Sequence, residues 1–131
     1  MAQFVTDLQL STFAMRDSDE WKLVSPLIYE SDLVFEPIIV PAGFTTDLAS
    51  VPRLPLAYLI AGGVADAAAV VHDYLYVTQP MPREQADAIF LEAMTVSKVP
   101  AWRRWLMWSA VRGFGGPLWR IRTEAIDASL S

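Results

Sequence analysis

The pattern of the sequence changes at the glycine pair Gly62-Gly63, and this change limits the folds open to the chain. Before the pair, residues 21–30 and 32–40 are rich in valine, isoleucine, tyrosine and phenylalanine. This composition predicts two β-strands, with a polar turn over 30–32 between them. After the pair, alanine-rich segments with helical spacing replace the strand-like ones. We therefore expect a small antiparallel sheet or hairpins in the first half of the chain and helices in the second.

Prolines and glycines mark where these elements end. Pro26 and Pro37 indicate strand ends or edge positions, because proline cannot donate a hydrogen bond to a neighbouring strand. In the second half, prolines and glycines delimit three predicted helices, over 64–77, 83–99 and 101–113. Strands first and helices later are typical of an α+β fold. The predicted architecture is a small N-terminal sheet, a structured loop and a three-helix C-terminal part packed on the sheet.

The length of the chain suits a single domain. Its 131 residues, of which 53% are hydrophobic, are enough for one sizeable core. No cysteine is present, which excludes disulfides and leaves a zinc site only one histidine and carboxylates. We divide residues 1–131 into an N-terminal arm, a β-rich part with its loop, a helical part and a basic tail, at 1–20, 21–52, 64–114 and 115–131.

Membrane insertion and nucleic-acid binding are both disfavoured. The longest apolar tract, Leu54 to Val71, is about as long as a membrane span, but it contains Pro55, a glycine pair and Asp66. We interpret it as a loop followed by a buried helix. The N-terminus lacks the pattern of a secretory signal, which predicts synthesis in a cytoplasm. The net charge of −5 argues against a nucleic-acid binder.

The only histidine, His72, lies in the apolar stretch AAVVHDYLY and is followed by Asp73. Helical spacing places both side chains near the packed side of their helix, and Asp87 lies within the inward-facing arc of the next helix. A short link with two prolines makes the two helices antiparallel neighbours, so we expect Asp87 to contact His72. Such a carboxylate fixes the imidazole tautomer and leaves the other ring nitrogen as a base. Asp73 would then be available to hold a hard cation such as calcium.

A structural interpretation of the same residues stays open. A buried histidine–aspartate pair can join two helices without any catalytic role, because structural ion pairs also place titratable groups in protein cores. Under that interpretation Asp73 is only an acid near the end of its helix.

The string from His72 to Tyr76 resembles the active-site helix of phospholipase A2 enzymes, which carries the motif His-Asp-x-x-Tyr. The resemblance covers a few residues. It implies that His72 is the general base, Asp73 a calcium ligand, Tyr76 a supporting side chain and Asp87 the orienting acid. The disulfides of that family are absent here, and its glycine-rich calcium loop has only loose counterparts.

A second resemblance covers most of the chain, roughly 21–115. The blocks VPAGFTTDLASVP, AAVVHDYLY, PREQADAIFLEAM and VPAWRRWLMWSAVRGFG resemble, in this order, a family of small proteins of unknown function from tailed phages and prophages. Membership implies a gene among late virion or lysis genes, and it implies no established reaction.

The loop TTDLAS carries Asp47 and Ser50. Together with His72 they suggest a catalytic triad with Ser50 as nucleophile. The competing interpretation is that both residues cap the next element or close a turn. Asp47 is also a candidate contact for the histidine or for a metal ion.

Tryptophans and arginines alternate near the C-terminus, where residues 101–131 hold five arginines and two acids. Such a surface could rest on lipid headgroups or anchor a partner protein. Core packing is expected for Trp105 and Trp108, because the two share one arc of the helix. The predicted interface residues are Trp119, Arg103, Arg104 and Arg112.

Two functions follow from these observations. The first is a virion-associated or tail-associated phage protein that acts in particle assembly or in crossing the host envelope, with other phage structural proteins as partners. The second is a small hydrolase of the histidine–aspartate type, either similar to phospholipase A2 and dependent on calcium or directed at the cell envelope. Contact with a membrane surface and self-association stay open under both.

Overall fold

The computed structural model describes residues 1–7, 10–12, 21–46 and 66–130. Within them the strands are β1 (Gln3–Phe4), β2 (Leu10–Thr12), β3 (Trp21–Leu23), β4 (Leu27–Glu30), β5 (Ile38–Val40) and β6 (Thr45–Thr46). The helices are α1 (Asp66–Thr78), α2 (Arg83–Val96), α3 (Ala101–Phe114) and α4 (Gly116–Leu130). The predicted α+β order, strands before helices, is confirmed.

The described strands form two antiparallel three-stranded sheets, with the orders β1-β4-β5 and β2-β3-β6. In β5, Ile38 and Val40 are buried and Ile39 is exposed, which is the alternation expected of a sheet with one face on the core. The segment predicted as an N-terminal arm supplies β1 and β2, and Phe4 lies opposite Tyr29 of β4. This segment thus contributes one edge strand to each sheet, β1 beside β4 and β2 beside β3.

The three predicted helices are present, with small shifts at their ends. Helix α1 ends at Thr78, and Gln79 after it has a left-handed φ of 49°, which closes the helix as a C-terminal cap does. Helix α2 ends at Val96, three residues before the predicted end, because Lys98 also has a left-handed φ, of 62°. A residue in that conformation cannot continue a right-handed helix.

The segment 115–131, predicted as a basic tail after the last helix, contains a fourth helix that was not predicted, since residues 116–130 form α4. We interpreted the glycines and Pro117 as a stop signal. Gly115 is instead nearly helical, at φ −77° and ψ −13°, and it only breaks the chain between two helices. Pro117 lies in the first turn of α4, where its missing N–H costs nothing and its fixed φ favours a helix. No residue of α4 is fully buried.

Helix α1 lies at the centre of the fold, because it packs against α2, α4 and strands β4 and β5. Its buried apolar residues belong to the same core cluster as Leu27, Tyr29 and Val40 of the first sheet. The Tyr29 hydroxyl donates a hydrogen bond of 2.7 Å to Glu92 of α2, which connects the first sheet to the helices. Among the described helices, none is both long and apolar enough to span a bilayer.

Candidate functional site

Polar groups are buried where α1 and α2 pack together. His72 is only 2% exposed, Asp73 is buried beside it, and Asp87 of α2 is completely buried. Alanines on both helices, among them Ala68 and Ala86, are also buried, and such small side chains let two helices approach closely. The close approach brings groups from opposite helices within hydrogen-bonding distance.

The carboxylate of Asp87 is the centre of this site. His72 Nε2 lies 2.7 Å from Asp87 Oδ1, and the Tyr76 hydroxyl donates a hydrogen bond of 2.8 Å to the same oxygen. The other oxygen, Oδ2, accepts a hydrogen bond of 2.7 Å from Arg112 of α3. The predicted contact between His72 and Asp87 is confirmed. The carboxylate joins three helices, and we call His72, Tyr76, Asp87 and Arg112 the Asp87 cluster.

Asp87 is ionised in this environment. Burial by itself would raise its pKa, but the hydrogen bond and charge of His72, with the hydrogen bonds from Tyr76 and Arg112, hold the pKa below its ordinary value. An ionised carboxylate only accepts hydrogen bonds, so Nε2 of His72 carries the proton that points at it. The other ring nitrogen, Nδ1, is therefore the basic one in the neutral imidazole.

Tyr76 acts in the cluster as a hydrogen-bond donor. Its pKa is raised, first by burial and then by the negative charge of Asp87, so the phenol keeps its proton. The ring of Tyr76 lies 4.4 Å from the imidazole of His72, and the ring of Phe90 lies 4.5 Å from it, both measured between centroids. The two aromatic rings fix the orientation of the imidazole.

Arg83 was not predicted as a site residue. It donates a hydrogen bond of 3.2 Å to the Tyr76 hydroxyl, and its Nη2 donates to the carbonyls of Val111 and Arg112, at 2.9 and 2.7 Å. These carbonyls belong to the last turn of α3, where the negative end of the helix dipole attracts a cation, and the Val111 carbonyl also accepts a hydrogen bond from the Gly115 N–H. The spacing of Arg83 and Asp87, four residues apart on one helix, was the available signal. The carbonyls that Arg83 contacts are remote in sequence, so the sequence carried no signal for these contacts.

The predicted interface arginines have different environments. Arg112 is a partner of the buried Asp87, because the position of α3 turns it toward α2, and an interface role for its part-exposed side chain stays a prediction. Arg104 donates a hydrogen bond of 2.7 Å to the carbonyl of Val99, and the guanidinium of Arg103 lies 5.2 Å from the ring centroid of Trp102. An interface role for Arg103 and Arg104 stays a prediction.

The tryptophans correct two further expectations. Trp105 was expected in the core, but 54% of it is exposed, while Trp108 packs against the core as predicted. The two rings meet edge to face at 5.6 Å, so Trp108 lies between Trp105 and the core. Trp119 was expected beyond the helices. It lies on α4, and its ring packs edge to face on Tyr76 at 4.9 Å.

The calcium role predicted for Asp73 and Asp47 stays a prediction. Asp73 Oδ1 lies 3.9 Å from Nη2 of Arg122, a cation that already occupies the neighbourhood of this carboxylate. In the part of the chain that the structure describes, no group of three histidine or acidic side chains could hold a metal ion. The candidates Asp47 and Ser50 lie outside the described residues. We therefore assign no step to calcium.

A half-open cavity of about 540 Å³ lies beside the cluster, between the first sheet and α1. Its lining is mainly apolar and includes Ile38, Tyr74 and Leu75. Leu75 is three residues from His72 on the same helix, but no member of the Asp87 cluster lines the cavity. This cavity thus borders on the turn of α1 that follows His72.

The fold and the site define a small α+β protein in which three helices meet at one buried carboxylate. Residues 21–111 match the family described as proteins of unknown function, DUF1353, and the chain belongs to this family. The expected membership of a family of unknown function is confirmed, and the phage origin of the family stays a prediction. No curated protein and no solved structure matches the chain.

Proposed function

We propose that the protein is a hydrolase of carboxylic esters in which His72 is the general base. The observation that carries the proposal is the 2.7 Å contact between His72 Nε2 and the ionised carboxylate of Asp87. This contact leaves Nδ1 as the basic nitrogen, which is the state a general base needs. The resemblance of the His72–Tyr76 string to the helix of phospholipase A2 enzymes supports an ester as the substrate.

His72 is buried and does not line the neighbouring cavity, so the proposed reaction requires a local opening that admits water and the ester. Nδ1 of His72 then takes a proton from water while the water oxygen attacks the ester carbonyl carbon. The imidazolium then returns the proton to the departing alkoxide, and the products are a carboxylic acid and an alcohol. Asp87 stabilises the positive imidazolium that exists between the two transfers. Tyr76 and Arg112 are positioning residues, because their hydrogen bonds hold the carboxylate against the imidazole.

The substitution His72→Gln tests this proposal. We expect the wild type to release fatty acid from dispersed phosphatidylglycerol or from p-nitrophenyl acyl esters, and His72→Gln to lower kcat by about 10²-fold to 10⁴-fold. Fatty acid is measured by mass spectrometry and nitrophenol by absorbance. Circular dichroism establishes that each variant is folded.

Two tyrosines on α1 provide a matched control. Tyr76→Phe removes a hydrogen bond to Asp87, and it should lower kcat while changing KM less. Tyr74→Phe removes a hydroxyl outside the cluster and should leave kcat unchanged. The proposal is wrong if the wild type hydrolyses none of these esters, or if His72→Gln retains the wild-type rate.

A second candidate function is attachment to a phage particle, and the connection between β4 and β5 favours it. Phe35 in this connection is fully exposed and Leu33 is nearly half exposed. Large exposed hydrophobic side chains of this kind commonly anchor protein partners. We expect mass spectrometry to find the protein in purified particles of the phage or prophage that encodes it, and Phe35→Ser to reduce the amount. Particles free of the protein would exclude this function.

A further inference from the structure

Helix α3 has an exposed face without charges. Trp102, Trp105, Leu106, Ser109 and Gly113 are all exposed, and helical spacing of 100° per residue places them on one arc of about a third of the circumference. The arginines of α3 lie outside this arc. Surface helices normally turn charged side chains to solvent and apolar ones to the core, so the pattern of this face is reversed.

The exposed apolar area on this face is large. Trp102 is 59% exposed, Trp105 54% and Leu106 47%. An uncharged patch with two tryptophans on a small protein marks a surface that binds something. The described part of the chain leaves these side chains open to solvent.

The charges near this face are positive. Helix α3 contains three arginines and no acid, and residues 98–131 hold six basic residues and two acids in a chain of net charge −5. Arg112 is neutralised by Asp87, but within the described residues neither Arg103 nor Arg104 forms an ion pair. Arg103 lies over the ring of Trp102, next to the exposed face. An anionic surface is therefore the complementary partner.

We propose that the uncharged face of α3 rests in the interface of an anionic phospholipid bilayer, with the helix axis parallel to the membrane. Tryptophan prefers the level of the lipid headgroups, where its ring is partly apolar and its N–H still finds hydrogen-bond acceptors. Arg103, whose guanidinium lies over the ring of Trp102, flanks the face and reaches lipid phosphates. At 14 residues, α3 is about 21 Å long and lies on the bilayer without crossing it.

Lipid fits this face better than a protein partner or a second copy of the chain. The arc pairs tryptophans with basic neighbours and carries no acid, which is the composition of helices that lie at membrane interfaces. A second copy would bring like charges together at the rim of the contact, since both copies carry the same arginines. The proposal is independent of catalysis by His72.

Sedimentation with vesicles tests the proposal. We expect the full chain to bind vesicles of phosphatidylglycerol and phosphatidylcholine in equal amounts, with a blue shift of tryptophan fluorescence, and to bind pure phosphatidylcholine weakly. Salt should weaken the binding, because it screens the attraction between arginines and phosphates. Arg103→Gln should lower binding to the anionic vesicles and leave binding to the neutral ones unchanged.

Substitution of the exposed aromatic residues distinguishes binding through the α3 face from nonspecific hydrophobic binding. The double variant Trp102→Ser and Trp105→Ser should lower the vesicle partition coefficient by at least about tenfold. Phe35→Ser is the matched control, because it removes an even more exposed aromatic ring from another part of the surface. We expect the control to bind vesicles as the wild type does. All these side chains are exposed or half-buried, and melting curves check that the variants are folded.

Three results would overturn the proposal. One is a wild type that fails to bind the anionic vesicles. Another is an equal loss of binding in Phe35→Ser and in the double tryptophan variant. The third is a wild type that self-associates and a double variant that is monomeric by light scattering, with no difference in vesicle binding. That result would assign the face to a second copy of the chain.

Discussion

Replacing Asp87 with alanine should lower the free energy of unfolding by about 3–5 kcal/mol. The substitution leaves Arg112 and the donors of His72 and Tyr76 around a buried space without an acceptor. A donor or charge left buried without its partner costs its desolvation energy, which is larger than the net value of the intact pair. For a domain of this length the melting temperature should fall by more than about 10 °C.

The measurement is denaturant unfolding followed by circular dichroism, with Glu84→Ala as the control. Glu84 is an exposed acid on the same helix, and its loss should change the free energy of unfolding by no more than about 0.5 kcal/mol. Equal stability of the two variants would show that the Asp87 cluster contributes little to the fold. The catalytic and structural interpretations of His72 both predict the large effect, so only the activity assay distinguishes them.

Stability against pH gives a second readout of the same contacts. The pKa of Asp87 is lower in the folded chain than its ordinary value of 3.8. The unfolded state therefore binds a proton more readily, and the stabilisation from Asp87 is fully present above pH 3.8 and is lost as the pH falls through the folded pKa. We expect the stability difference between the wild type and Asp87→Asn to be largest near neutral pH and to narrow on acidification. A difference that stays constant with pH would contradict this assignment.

Replacing Gly115 with alanine should lower the free energy of unfolding by about 1–3 kcal/mol. A Cβ atom at this position would lie 2.7 Å from the Tyr76 hydroxyl oxygen and 2.5 Å from the Val111 carbonyl oxygen. Real Cβ atoms do not approach oxygens so closely, so either α3 or Tyr76 must move. Tyr76 is fixed by Asp87 and Arg83, and its displacement would weaken the hydrogen bonds of the cluster.

Gly113, two residues earlier, is the control for this substitution. A Cβ there would have no neighbour within 4 Å, and Gly113 lies inside α3. Gly113→Ala should therefore raise the free energy of unfolding by roughly 0.5–1 kcal/mol, because alanine loses less backbone entropy in a helix. Opposite signs for the two glycines in thermal unfolding are the expected result. If Gly115→Ala and Gly113→Ala both raise the free energy of unfolding, the space around Gly115 can expand to hold a Cβ atom.

The contact between His72 and Asp87 was predictable because it depends on local spacing. Helical periodicity placed both side chains inward, and the short link between the helices made them neighbours. Arg112 could not be assigned to the same site in this way. Its partner lies on another helix, and the sequence around it resembles any solvated basic helix.

The missed helix α4 has a different cause. Two glycines and a proline in succession are a common stop signal, yet the same residues suit the start of a helix when Gly115 stays near helical geometry. Local composition cannot choose between the two outcomes, because the choice depends on whether a packing surface is available. Here Tyr76 offers one to Trp119, and Gln79 adds a hydrogen bond to the Trp119 carbonyl.

The low burial of α4 affects how readily this helix opens. Because none of its residues is fully buried, this helix has the least apolar contact to lose when it opens. Its backbone amides should exchange with deuterium faster than those of α1 and α2, whose inner residues are fully buried. Detachment of α4 would take Trp119 away from Tyr76, so a local opening at the end of the chain uncovers one edge of the Asp87 cluster while the remaining helices stay folded.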